Sequence, residues 1–189
     1  MTKKVIIVIV AAVLLLTVIP ALAATPSKTT EDLTQVVGVV YEDGTVHNDV
    51  ITVQEQLTEF DEAIITDLLT YKTKNDKIVD YFDADVKAGI QELLPQGATM
   101  DGLIMSELVC LCCGEHDDTH GTITCEYEFP TEYKDTDVVV PLLGYQDAEG
   151  KTAWLPVKGE VKNGHVVVAF TEEILTLIGH DFVLAILSK

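Results

Sequence analysis

The chain has 189 residues, 48% of them hydrophobic, and carries 31 acidic side chains against 12 lysines and no arginine, for a formal net charge of −19. A field this negative, with no guanidinium to grip phosphate bidentately, excludes nucleic acid and anionic membrane surfaces as partners. Solubility outside the cell explains the acidity plainly, and attraction of divalent cations or of a basic partner is the sharper explanation.

Thr2-Lys3-Lys4, the apolar run from Val5 to Ile19 and Pro20-Ala21-Leu22-Ala23 together have the form of a secretory signal peptide spanning residues 1–23. Cleavage by signal peptidase after Ala23 is expected, leaving a protein that is secreted or associated with the cell surface. The apolar run could just cross about 30 Å of hydrocarbon. Thr17 and Pro20 interrupt it, however, and the small-residue site follows, which favours cleavage over anchoring. Residues 24–33 turn small and polar and are expected to be a flexible leader. Residues 34–189 have the length of a single domain, with a helical part over 54–95 and a β-rich part over 103–189.

Val36 to Tyr41 and Thr45 to Val53 are rich in β-branched residues and flank Glu42-Asp43-Gly44, the turn chemistry of a hairpin. In Gln54 to Tyr71 the residues Leu57, Phe60, Ile64, Leu68 and Tyr71 recur at helical spacing, opposite Glu55, Glu59, Glu62 and Thr66. Asp83 has the character of an N-cap for a second helix with an inner face of Val86, Ile90, Leu93 and Leu94, ended by Pro95 and Gly97. Strands are expected at Ile104 to Cys113, Gly121 to Phe129, Val138 to Tyr145, Thr152 to Val161, His165 to Phe170 and Phe182 to Leu187. Asn163-Gly164 suits a type I′ turn that sets Val161 opposite Val166, Gly159 opposite Val168 and Val157 opposite Phe170. Thr171 caps a short helix ending near Gly179. The fold class is therefore α+β: a mostly antiparallel, sandwich-like β meander in the C-terminal half, with two helices from the N-terminal half packed on it.

The succession of Tyr81-Phe82, a helix ending in Leu93-Leu94-Pro95, a strand closing over Thr124 to Phe129, Val138-Val139-Val140, Trp154, Asn163-Gly164 and Leu184-Ala185-Ile186-Leu187 resembles an uncharacterised group of small exported proteins of Gram-positive gut anaerobes. The resemblance covers Ile78 to Lys189. It implies an envelope or extracellular location and a helix-plus-sheet domain. No activity is assigned to that group, so it carries no catalytic residue over to this chain.

The densest reactive cluster is Cys110, Cys112, Cys113, His116, His120 and Cys125. Cys110, Cys112, His116, His120 and Cys125 are candidate ligands for zinc, which takes four thiolate or imidazole donors in a tetrahedron. The spacing is not that of a zinc knuckle, and adjacent Cys112 and Cys113 point to opposite faces of a strand. A hairpin centred near Asp117-Asp118 would set Cys110 or Cys112 across from Cys125, making Cys110 and Cys125 the disulfide candidates outside the reducing cytosol. A disulfide, reduced packed thiols and a metal site are the three states open to this cluster.

Asp80, Asp83 and Asp85 bunch as an oxygen cluster of the kind that binds calcium, but capping and dipole complementation account for Asp83 and Asp85. Trp154 sits in an alternating strand, where half-buried packing is its ordinary use. Ser27, Ser106 and Ser188 are the serines, and none lies in a nucleophile elbow. A cysteine nucleophile paired with His116, His120, His165 or His180, or a pair of carboxylates, is what an enzyme here would have to use. No resident cofactor is implied. The reading is an exported, acidic, non-enzymatic binding module for an unknown protein or envelope ligand. The alternative is an extracellular metal-binding or thiol-redox protein built on Cys110 to Cys125.

Overall fold

A computed structural model of the chain describes residues 34–54, 56–75, 77–114 and 121–189. The expected signal peptide and leader, His116, His120 and the turn at Asp117-Asp118 lie outside the described residues. In chain order the elements are β1 (Gln35–Tyr41), β2 (Ile51–Val53), α1 (Glu59–Lys74), a 3₁₀ turn (Ile78–Tyr81), α2 (Ala84–Leu93), β3 (Ile104–Cys113) and β4 (Ile123–Glu128). There follow β5 (Val139–Gln146), β6 (Thr152–Pro156), β7 (Gly159–Lys162), β8 (His165–Phe170), α3 (Glu172–Ile178) and β9 (Asp181–Ser188).

The fold is α+β, and the described strands form two antiparallel sheets with orders β1-β4-β8-β7 and β2-β3-β9-β5-β6. Pairing among the described strands is antiparallel throughout, as expected; β9, last in sequence, lies between β3 and β5, and the chain changes sheet repeatedly. Val39, Cys125, Tyr127, Val168 and Phe170 from the four-stranded sheet meet Leu111, Leu143, Phe182 and Leu184 from the five-stranded sheet in one buried layer. On the other face of the five-stranded sheet, Leu68, Phe82, Val86 and Ile90 pack against Met105, Val140, Leu142, Ala185 and Leu187. Helices, five-stranded sheet and four-stranded sheet are thus stacked as three layers. Each fully buried Leu, Ile or Val contributes about 1.5–3 kcal/mol of apolar transfer. Phe182 through Leu187 are all inaccessible, as a strand covered on both faces requires.

Local chemistry sets the helix limits. Thr58 caps α1: its side chain accepts from the Asp61 amide at 3.2 Å, while Asp61 Oδ2 accepts from the Thr58 amide at 2.8 Å. The box starts the helix at Glu59, not at the expected Gln54. It also turns Asp61 inward beside Ile64 and Leu68. Asp83 Oδ1 accepts from the Val86 amide at 2.9 Å and starts α2. Leu93, expected inside, is 36% exposed, because it is the last helical residue and Leu94 takes the inward position.

Two expected strands are divided. The turn at Glu42-Asp43-Gly44 forms, with the Gly44 amide donating to the Tyr41 carbonyl at 2.9 Å. Beyond an isolated bridge from Val40 to Val46, however, the chain leaves β1. Only Ile51–Val53 is a strand, and it pairs with β3 in the other sheet. Likewise Thr152 to Val161 splits into β6 and β7, which edge different sheets. Asn163 and Gly164 adopt φ values of 54° and 84° and set Val161 opposite Val166 and Gly159 opposite Val168. The expected pairing of Val157 with Phe170 does not form. Val157 instead donates its amide to the Pro141 carbonyl of β5 at 2.9 Å.

Candidate functional site

β3 distributes its cysteines by simple alternation. Cys110 faces the helices, buried with Ile64 and Val183. Cys112 lies on the same side at the strand end, half-buried, with its sulfur 3.0 Å from Thr52 Oγ1. Cys113 points the other way, into the layer between the sheets, where Cys125 also lies. None of the four is in a disulfide. The hairpin that was to bring Cys110 or Cys112 to Cys125 is absent, since β3 pairs with β2 and β9 whereas β4 pairs with β1 and β8. The chain changes sheets between Gly114 and Gly121, so Cys110 and Cys125 end on opposite sides of the five-stranded sheet. Cys110, Cys112 and Cys125 therefore do not converge as ligands. Among the described residues no group of three or more His, Cys, Asp or Glu side chains is placed to hold a metal.

Burial also controls the chemistry of these thiols. Loss of solvation pushes Cys113 up to about 11, with Cys112 adding to the effect. It pushes Cys125 up to about 12, and Cys110, next to the charge of Asp61, higher still. The nucleophile and metal ligand is the thiolate; at neutral pH these three groups are thiols. Among the described residues, His165 and His180 are committed to carboxylates. His165 Nδ1 lies 2.5 Å from Glu126 Oε1, and His180 Nδ1 lies 2.7 Å from Asp181 Oδ1. Asp80, once grouped with Asp83 and Asp85, faces Lys87 at 3.8 Å, while Asp83 is occupied as a cap.

A concave surface among the described residues lies at one end of the sandwich and was not legible in the sequence. One recess, of about 700 Å³, opens between α3 and the β5–β6 turn and is lined by Tyr145, Gln146, Asp147, Ala148, Glu172, Glu173, Thr176 and Leu177. A second, of about 530 Å³, shares Gln146 and continues past Thr58, Glu59, Phe60, Ile178, Gly179, His180 and Asp181. Five carboxylates and no lysine line the two. Leu177, 48% exposed, supplies apolar surface beside Tyr145.

Short-range bonds make this groove firm. Asp147 Oδ1 accepts from the amides of Glu149 at 3.0 Å and Lys151 at 2.8 Å, closing the β5–β6 turn. Thr171 caps α3 through the Ile174 amide at 3.3 Å, and Gly179, at φ 70°, ends it. Gln54 Nε2 donates to Asp181 Oδ1 at 2.8 Å and to the Leu111 carbonyl at 3.2 Å. The carboxylate that meets His180 is thus tied back to β3. Thr171-Glu172-Glu173, which lies at the wall of the groove, reads in the sequence only as ordinary N-terminal helix chemistry.

Trp154 is half-buried, as expected, edge-on to Phe82 at 5.5 Å and to Tyr81 at 6.3 Å. Its ring faces Gly144, where a Cβ would come 2.9 Å from the indole. No family model, curated protein or solved structure matches the chain.

Proposed function

We propose that the protein is an exported, non-enzymatic binding module of the cell envelope or its surroundings, and that its ligand carries positive charge. The observation that carries this reading is the groove between α3 and the β5–β6 turn, in which Asp147, Glu172 and Glu173 surround the exposed Leu177 and the Tyr145 ring. Carboxylates flanking an apolar patch suit a basic segment that lays a hydrocarbon stem on Leu177 and sets its charge among the acids. The formal charge of −19 adds long-range attraction and a high encounter rate at low salt.

The thiol-dependent alternative has less support, because three of the four cysteines are buried and held protonated. A cysteine hydrolase would need an activated sulfur beside an imidazole, whereas His165 and His180 are engaged with carboxylates.

Calorimetric titration of the full chain with a lysine-rich peptide and with a glutamate-rich peptide tests the reading. Saturable binding of the first alone, weakened by Glu172→Gln with Glu173→Gln, is expected. Binding indifferent to those substitutions would place the ligand elsewhere.

A further inference from the structure

We propose that Cys113 and Cys125 form a disulfide in the exported protein, bridging the two sheets through their shared core. The pair follows by elimination and then by position. Cys110 and Cys112 project from one strand on the same side, where residues two apart stand about 6.6 Å from each other. The Cβ atoms of a bridge lie only about 3.8 Å apart. Cys112 and Cys113 point to opposite faces of β3. Cys110 and Cys112 are separated from Cys125 by the five-stranded sheet itself.

Cys113 and Cys125 remain, and they occupy the same buried layer, contributed by β3 from one sheet and β4 from the other. Both are essentially sealed from solvent, at 4% and 0% exposure. Tyr127 lies beside them, and its hydroxyl feels the charge of either thiolate. The charge of Cys113 likewise opposes ionisation of Cys125. They also flank the short connection on which the chain passes from one sheet to the other, so they stay near each other in the unfolded chain. A cross-link at that point removes loop freedom from the unfolded state and fixes the sheet-to-sheet contact.

The reaction is an exchange with a disulfide donor, a small-molecule disulfide or a disulfide-bearing oxidoreductase. Each cysteine gives up its proton, and one sulfur–sulfur bond forms while the donor's bond breaks. The two electrons and two protons leave with the donor as a pair of thiols. Because burial keeps both groups protonated, the exchange belongs to folding, before the layer between the sheets closes. The proposal rests on the export reading only in its need for an oxidant outside the reducing cytosol.

Refolding the reduced, denatured full chain in oxidised and reduced glutathione tests the pair independently of export. The expected product is lighter by two hydrogen atoms and keeps two alkylatable thiols. Cys110→Ala and Cys112→Ala should preserve that mass loss, whereas Cys113→Ala and Cys125→Ala should abolish it. The oxidised protein should melt on the order of 5–10 °C above its reduced form. A product with all four thiols intact, or a mass loss that survives Cys113→Ala, overturns the assignment. Circular dichroism of the reduced alanine variants guards against misreading a folding failure as loss of the bridge. With the pair established in this way, thiols found reduced in protein recovered from outside its host cell would count against an oxidising export route, and not against the geometry.

Discussion

Gly159 presses against Pro141. The first belongs to β7 in the four-stranded sheet and the second to β5 in the five-stranded sheet, and a Cβ on Gly159 would stand 2.7 Å from Pro141 Cδ and closer still to Cγ. The Val157 amide bonds to the Pro141 carbonyl two residues earlier. The chain therefore crosses between sheets over the proline ring, and only a residue without a side chain passes at this height.

Gly159→Ala should accordingly cost about 1–3 kcal/mol through overpacking, although alanine is otherwise no worse in an extended strand. Urea unfolding of the two proteins measures it. A change within about 0.5 kcal/mol, the range of an ordinary surface substitution, would mean that the sheets can separate at this crossing without loss.

The α1 capping box gives a second prediction. Asp61 is completely buried, and its Oδ2 accepts from both the Thr58 amide at 2.8 Å and the Thr58 hydroxyl at 2.6 Å. Thr58→Ala should cost about 1 kcal/mol, the usual value of a cap. Asp61→Ala should cost about 1–3 kcal/mol, because it strands a donor near the core. The double variant should lose less than the sum of the two, since they break the same bonds.

Much of this local structure could be read from the chain. The limits of β3 and β8 follow from runs of β-branched and apolar residues, the β7–β8 register from Asn163-Gly164, and the starts of α2 and α3 from Asp83 and Thr171. Which strands share a sheet could not be read in the same way. Alternation says which side chains point inward, not which neighbour supplies the hydrogen bonds. Hence β3 and β4 resemble a hairpin, and Cys110 resembles a partner for Cys125. The unbroken run from Phe182 to Leu187 was the available clue that β9 is covered on both faces and lies inside a sheet. The groove gathers residues of α1, β5, α3 and β9, and no local pattern announces it.

The raised thiol values predict alkaline weakening of the reduced protein. Cys113 moves from an ordinary 9.0 to about 11, and Cys125 to about 12, when folded. The unfolded state thus loses its thiol protons first. Stability from these groups is fully present below pH 9 and is lost as the pH rises through 11 and toward 12. Each group contributes a slope of up to about 1.4 kcal/mol per pH unit within its window. Urea midpoints measured from pH 8 upward should fall, and the fall should be shallower in Cys113→Ala and Cys125→Ala.

The same burial orders the reactivity of the thiols. Cys112, half-buried at the end of β3 beside Thr52, should be the first cysteine modified by iodoacetamide in the reduced, folded protein at pH 8. Cys110, Cys113 and Cys125 should react only on opening, at rates that follow the unfolding equilibrium. Peptide mapping after timed alkylation reads this order directly. Equal rates at all four positions would contradict the packing of both faces of the five-stranded sheet.

Charge in the groove provides the functional prediction. Glu172 and Glu173 are exposed on the first turn of α3, and Asp147 faces them from the β5–β6 turn. An exposed ion pair is worth about 0.2–1 kcal/mol. Neutralising both glutamates as Glu172→Gln with Glu173→Gln should therefore weaken a lysine-rich peptide by about 2- to 30-fold. Raising the salt should weaken it further, as the Debye length shrinks from about 10 Å at 0.1 M to about 3 Å at 1 M. Leu177→Ala should reduce affinity without changing the salt dependence, because it removes apolar contact and leaves the field intact. Asp147 is a poorer choice of probe: its carboxylate closes the turn through Glu149 and Lys151, so its loss would move the wall of the groove as well as its charge. If the paired glutamine variant and Leu177→Ala both leave peptide binding unchanged, the acidity of the chain serves solubility and the binding surface lies on another face.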